Sequence, residues 1–211
     1  MLHKNSFIIS PATFVLTQQL QALPWFQNFN LVGGTALALQ LGHRNSIDID
    51  LFTQNDFEPE EIENALEGKF SIKVTLARKG TLLSVINNIK TDFIRHNYPL
   101  LFPPTIEEGI RFLGKEDIAA MKFHAIIQSG KRLKDFIDIY FLLQHFSMKQ
   151  MIDFFSKKYQ YTNPMIAMKA INYFDDIDEA IDPPKLLQPL PLTEIKKRIQ
   201  TATQKPDLIF K

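Results

Sequence analysis

The chain contains no cysteine. That excludes disulfides, thiolate metal sites and cysteine nucleophiles, and it suits a reducing compartment. No uninterrupted apolar run approaches the ~20 residues needed to cross a bilayer. The opening MLHKNSFIISPATF lacks the long apolar stretch of a secretory signal. The expectation is a cytoplasmic protein with no membrane partner. An excess of charge of one sign is missing too. Lys and Arg number 24 against 23 Asp and Glu, a net charge of +1. Global charge therefore gives no argument for nucleic-acid binding, and only a local basic patch could supply one. What the chain does have is apolar bulk: 45% of its 211 residues are hydrophobic and 18 are Phe, enough for an aromatic-rich core.

Local patterns divide the chain near residues 103–113. Before the break at Pro103-Pro104, helices and strands alternate. Ser10-Pro11 reads as an N-cap followed by proline at the first helical position, starting a helix to about Leu23. Trp25 is expected to pack against that helix. Phe29 to Val32 is a short apolar strand ending in Gly33-Gly34, and Thr35 to Leu41 is built of good helix formers. Ser46 to Phe52 alternates polar and apolar residues and reads as a strand, with Ile47, Ile49 and Leu51 on its packed face. A short helix over 59–66, a strand over 70–76, a turn at Lys79-Gly80 and a returning strand over 81–89 follow, with residues 90–94 continuing extended. After the prolines, helical periodicity dominates, with helices expected over 115–129, 132–146, 148–159, 163–174 and 193–203. Pro183, Pro184, Pro189 and Pro191 mark a loop before the last of these. The expected organisation is an α/β (α+β) domain with a small mixed sheet over 1–112, then a helical domain over 113–211.

Residues 31–52 hold two features with chemical meaning. Gly33-Gly34-Thr35 sits between a strand and a helix. Glycines let the backbone approach a phosphate, and the helix start offers N–H groups and a positive dipole end. A glycine pair alone is also just a tight turn. Asp48-Ile49-Asp50 is the second feature. On a strand, residues i and i+2 share a face, with Cα atoms about 6.6 Å apart. Two such carboxylates suit one or two Mg²⁺ ions with triphosphate oxygens as co-ligands. The bland alternative, a solvated polar face, is weakened because Asp is a poor strand former and two on one face repel without a cation. Asp92, on a later extended segment with Lys90 on its face, could complete a three-carboxylate set for two-metal phosphoryl chemistry.

In that order, the motifs resemble the DNA polymerase β-type nucleotidyltransferase superfamily and, more narrowly, the AbiEii/AbiGii toxin family. The blocks are Gly33-Gly34-Thr35, Arg44 to Phe52 (RNSIDIDLF), Lys90-Thr91-Asp92, and Lys134 to Ile139 (KDFIDI). They cover roughly residues 31–145. The resemblance implies transfer of a nucleoside monophosphate from an NTP to an acceptor hydroxyl on tRNA or a protein. It implies Mg²⁺ or Mn²⁺ held by Asp48, Asp50 and Asp92. It further implies nucleotide contacts from Gly33, Gly34, Thr35, Arg44, Ser46 and Lys90, and a cognate antitoxin protein encoded separately. In the helical block, Asp135 and Asp138 share a helix face, and capping and solvation account for the local charges without any ligand. The resemblance instead puts Lys122, Lys134 and Asp135 beside the nucleotide. Rival readings are a small-molecule nucleotidyltransferase of the kind that modifies antibiotics, and a non-catalytic interaction protein that keeps the fold. His43, His96, His124 and His145 share no ligand spacing and read as structural or surface residues.

Overall fold

The computed structural model describes residues 1–181 and 183–211. The chain divides into two compact units, one of residues 1–98 and 104–113 and the other of residues 99–103 and 114–211.

The first unit begins with α1 (Pro11–Ala22), whose start is fixed by Ser10: its hydroxyl accepts from the Thr13 N–H, 3.0 Å away, and Pro11 occupies the first turn. Then come β1 (Asn30–Leu31), α2 (Gly33–Leu41), β2 (Ile49–Thr53) and α3 (Pro59–Leu66). They are followed by β3 (Ile72–Arg78), β4 (Thr81–Ile86), β5 (Ile89–Arg95), β6 (Thr105–Glu107) and β7 (Ile110–Phe112). The seven strands form one mixed sheet in the order β3-β4-β5-β2-β1-β7-β6. Two pairings are parallel, β2 with β5 and β1 with β7, and the rest are antiparallel. The alternation read in β2 buries Ile49 and Leu51 completely. Ile47, expected on the same face, is instead 55% exposed, because it precedes the strand.

Two hairpins depart from the sequence expectation. Residues 81–94 are not one continuous extended run. They turn at Asn87-Asn88, with φ of 48° and 66°, so that β5 folds back on β4. Residues 105–112, for which the sequence suggests no element, form the hairpin β6–β7 around Glu108 and Gly109, with φ of 52° and 76°. Two central residues with positive φ match the twist of the flanking strands. Trp25 joins an aromatic cluster, stacked on Phe29 at 5.5 Å and edge-on to Phe57 at 6.3 Å. Phe26 and Phe93 extend this cluster into the core.

The second unit contains α4 (Lys115–Ser129), α5 (Leu133–Leu142), α6 (Met148–Lys158), α7 (Pro164–Ile171) and α8 (Leu192–Gln204). Capping sets several of these ends. Ser147 and Gln150 form a reciprocal capping box at α6, and Asn163 caps α7 ahead of Pro164. The buried face of α4 runs through Ile118, Ala119, Phe123 and Ile126, while Met121 and Ala125 are only half-buried. At its centre lies a fully buried ion pair, Lys158 Nζ to Asp117 Oδ1 at 2.7 Å. The Asp117 carboxylate also accepts from the N–H groups of Leu101 and Phe102, at 3.1 and 3.3 Å. Lys158 also donates to the Pro99 carbonyl at 3.0 Å. This pair pins residues 99–103 to the helices. Among the described residues, no helix is long and apolar enough to cross a membrane.

Removing one partner of such a pair strands a charge in the core. Lys158→Met is expected to cost about 3–5 kcal/mol of stability, read as a lower urea midpoint. A loss no larger than that of an exposed lysine would show that Asp117 is satisfied without it.

Candidate active site

The carboxylates cluster where the pairing of β2 with β5 begins. The two strands run parallel, and their register places Asp50 directly beside Asp92. Neighbouring strands lie about 4.8 Å apart, so two acidic side chains are forced into proximity by backbone pairing alone. Asp48 is not on the strand. The β2–β5 ladder begins at Ile49, and Asp48 lies in the loop just ahead of it. The face-sharing argument from strand spacing therefore holds for Asp50 with Asp92 rather than for Asp48 with Asp50.

The loop carrying Asp48 is held from behind. The Thr35 hydroxyl donates to the Asp48 carbonyl and lies 2.8 Å from the Ser46 hydroxyl. Thr35 and Ser46 are both buried. Read from sequence as groups facing a phosphate, these hydroxyls are engaged in setting the position of Asp48.

The glycine pair opens α2 rather than preceding it, and each glycine is required by a side chain. Gly33 has φ +67°, and a Cβ there would stand 2.5 Å from Asp50 Oδ2. A Cβ on Gly34 would stand 2.3 Å from Arg44 Nη2. Arg44 is only 2% exposed, and its Nη1 donates to the Asn45 carbonyl at 2.9 Å. Its guanidinium thus meets the glycine turn from the protein interior, an arrangement for which the sequence carries no signal.

Lys90 follows the expectation of a shared face with Asp92. Its Nζ lies 3.3 Å from Asp92 Oδ2. Burial works against the Lys90 ammonium. The attraction of Asp92, then Asp48 and Asp50, together with the hydrogen bond to Asp92, outweighs it and holds the pKa above that of an ordinary lysine. Asp92 is itself pushed above the usual carboxylate range, chiefly by burial. Lys90 opposes the rise and the like charge of Asp48 adds to it. Asp92 Oδ1 is buried with no hydrogen-bond partner.

Among the described residues, no three His, Asp or Glu side chains converge closely enough to form a ready metal cage. The donors nonetheless fit a divalent cation by type. They are hard carboxylate oxygens, which Mg²⁺ and Mn²⁺ prefer. One of them is orphaned, and the cation beside Asp92 is a partly exposed lysine.

The remaining candidates lie in the helical unit. Lys122 is buried and bridges Asp135 at 2.8 Å and Asp138 at 2.6 Å. Asp135 also accepts from Arg132, whose Nε and Nη2 are 2.9 and 2.8 Å from Oδ2. The helix face shared by Asp135 and Asp138 is thus the face that meets Lys122. Lys134, at the start of the same helix, is half-buried.

A mixed sheet with paired acids beside a glycine turn that opens a helix has the form of the nucleotidyltransferase fold. JHP933 from Helicobacter pylori superposes with a TM-score of 0.56 at 17% identity, covering 94% of this chain and 93% of that one. MenT4, a nucleotidyltransferase toxin from Mycobacterium tuberculosis H37Rv, superposes with a TM-score of 0.58 at 15% identity, covering 91% and 82%. At these identities the likeness is one of fold. The sequence profile of the family described as "Nucleotidyl transferase AbiEii toxin, Type IV TA system" matches residues 15–207, and the chain belongs to that family. An uncharacterized protein of Aquifex aeolicus (strain VF5) is 35% identical over 160 residues, 73% of this chain and 77% of the relative.

The contact between Gly33 and Asp50 can be tested alone. Gly33→Ala places a side chain at positive φ, at a cost of about 1–3 kcal/mol, and drives a methyl group into the carboxylate. Thermal melts should show the loss, and it should shrink in an Asp50→Ala background, where the carboxylate is gone. Equal losses in both backgrounds would assign the whole effect to backbone strain.

Proposed function

We propose that the chain transfers a nucleoside monophosphate from an NTP to an acceptor hydroxyl, releasing pyrophosphate, and that it acts as the toxin of a type IV toxin–antitoxin system. The observation that carries this reading is the contact of Gly33 with Asp50 Oδ2 beside Asp92. It puts an anion-binding helix start within reach of carboxylates that need a cation. In this reading Asp48, Asp50 and Asp92 hold Mg²⁺ or Mn²⁺. Such an ion would supply Lewis acidity at the triphosphate and lower the pKa of the attacking hydroxyl. The N–H groups at the start of α2 receive phosphate oxygens. Arg44, buried behind Gly34, adds positive charge to that turn. Thr35 and Ser46 keep Asp48 in place. Asp92, made more basic by its burial, is suited to take a proton from the acceptor. Lys90 offsets charge that builds on the departing pyrophosphate. Lys122, Lys134 and Asp135 carry the family expectation of nucleotide contact.

For the acceptor, RNA with tRNA foremost, or a protein hydroxyl, is preferred to a small drug, on the strength of the family. The toxin role supplies the partner, a separate antitoxin. The cytoplasm, where NTP, tRNA and such a partner coexist, is the proposed location. Incubation with each labelled NTP and either total tRNA or cell extract should label one macromolecular acceptor in a metal-dependent manner. Labelling of a small molecule alone would replace the acceptor assignment with the antibiotic-type reading.

Asp48→Asn and Asp50→Asn separate chemistry from fold. Each retains side-chain volume and removes one charge. Turnover should fall by about two orders of magnitude or more for each, while metal-free stability should hold or rise as repulsion is relieved. Ile49→Asp is the control, since it buries a charge on the packed face of β2 and should unfold the unit. A folded, fully active Asp50→Asn protein would remove the carboxylates from the mechanism.

A further inference from the structure

We propose that Lys90 is a resident counter-ion for the carboxylate cluster, holding the metal-free site together and competing with the divalent cation for Asp92. The inference rests on the metal reading above and adds to it a role for one residue.

Three observations lead there. Lys90 Nζ stands 3.3 Å from Asp92 Oδ2, and the three acids that act on its charge are Asp92, Asp48 and Asp50 in that order. These are the same three carboxylates read as metal ligands. The Asp92 side chain is only 11% exposed and has one oxygen on Lys90 and the other, itself buried, without a partner. A buried carboxylate with a single ammonium contact is under-coordinated. Finally, the Lys90 side chain is 56% exposed. Its flexible four-carbon stem can swing into solvent at little cost, unlike the buried Arg44.

A divalent cation on the unpartnered Oδ1 of Asp92 and an ammonium on its Oδ2 would stand on one carboxylate and repel each other strongly. Entry of the metal therefore displaces Lys90 from Asp92. In the absence of metal, the ammonium offsets the mutual repulsion of Asp92, Asp50 and Asp48. The device exchanges a weak, mobile cation for a strong one, and it weakens apparent metal affinity until the incoming triphosphate supplies further oxygen ligands.

Mn²⁺ binding by calorimetry, with metal-free melting temperature at pH 8, tests this without any turnover assay. Lys90→Met should melt at a lower temperature without metal, bind Mn²⁺ about tenfold more tightly, and show a larger rise in melting temperature on adding it. Lys90→Arg, which keeps the charge, should bind no more tightly than the wild type. In wild-type protein the Lys90 Cε resonance, identified by its loss in Lys90→Arg, should move on Mg²⁺ titration, a readout that survives if Lys90→Met fails to fold. Equal Mn²⁺ affinity in wild type and Lys90→Met, or an unmoved Lys90 resonance while Mg²⁺ binds, overturns the inference and leaves the metal reading intact. Weaker binding in Lys90→Met would make Lys90 an aid to metal capture and also overturn it. If neither protein binds Mn²⁺, with or without NTP, the metal reading falls first and this inference with it.

Discussion

Two carboxylates set side by side by strand register cannot relax apart. Asp50 and Asp92 face each other across β2 and β5 because five residues of each strand pair in sequence, and a one-residue slip of β2 would turn its buried Ile49 and Leu51 out of the core. The hydrophobic pattern therefore enforces an electrostatic conflict. Much of the surrounding structure answers to that conflict. Gly33 lacks a side chain because Asp50 occupies the space. Lys90 leans onto Asp92 from the next residue on the same face. Thr35 and Ser46 set the Asp48 loop beside them. A fold has no structural need to gather acids at the head of its central strands. In the proposed reading, their use is to receive a cation.

The helical unit treats charge in the opposite way. Asp117 with Lys158, and Lys122 with Asp135 and Asp138, are buried groups already neutralised by close partners. Asp117 has backbone N–H donors as well, from Leu101 and Phe102. Such saturated pairs cost desolvation and are specific in geometry, so they fix which helices meet and where residues 99–103 attach. The orphaned Asp92 oxygen in the sheet is what a saturated pair would not leave. In the proposed reading, this contrast separates the carboxylates of the sheet from an ionic strut such as Asp117 with Lys158.

Much of the architecture was legible where local chemistry decides it. α4 spans Lys115–Ser129 between glycines at 114 and 130, and α3 starts at Pro59, as their signals imply. The glycine turn and the three acids stood out because Gly-Gly and Asp are costly in a strand context unless something requires them. The failures came from non-local causes. Asp48 reads as strand by alternation, but its backbone carbonyl bonds to a threonine hydroxyl rather than to a neighbouring strand. Asn87-Asn88 and Glu108-Gly109 turn at positive φ, and each is fixed by the pairing of the strands it joins. The burial of Arg44 beneath Gly34 depends on the path of the loop between α2 and β2, which no periodicity encodes. Belonging to a family raised weak motifs to a joint pattern, yet it could not show that Thr35 and Ser46 face inward.

The central claim is that these carboxylates support transfer of a nucleotidyl group and not of a phosphoryl group. Parallel reactions with NTP labelled at the α- or the γ-phosphate measure this most directly. The account predicts that α-label passes to the acceptor while γ-label leaves as pyrophosphate, both only with Mg²⁺ or Mn²⁺ present and neither with Asp50→Asn. Transfer of γ-label to the acceptor, or α-label transfer undiminished in Asp50→Asn, would contradict it.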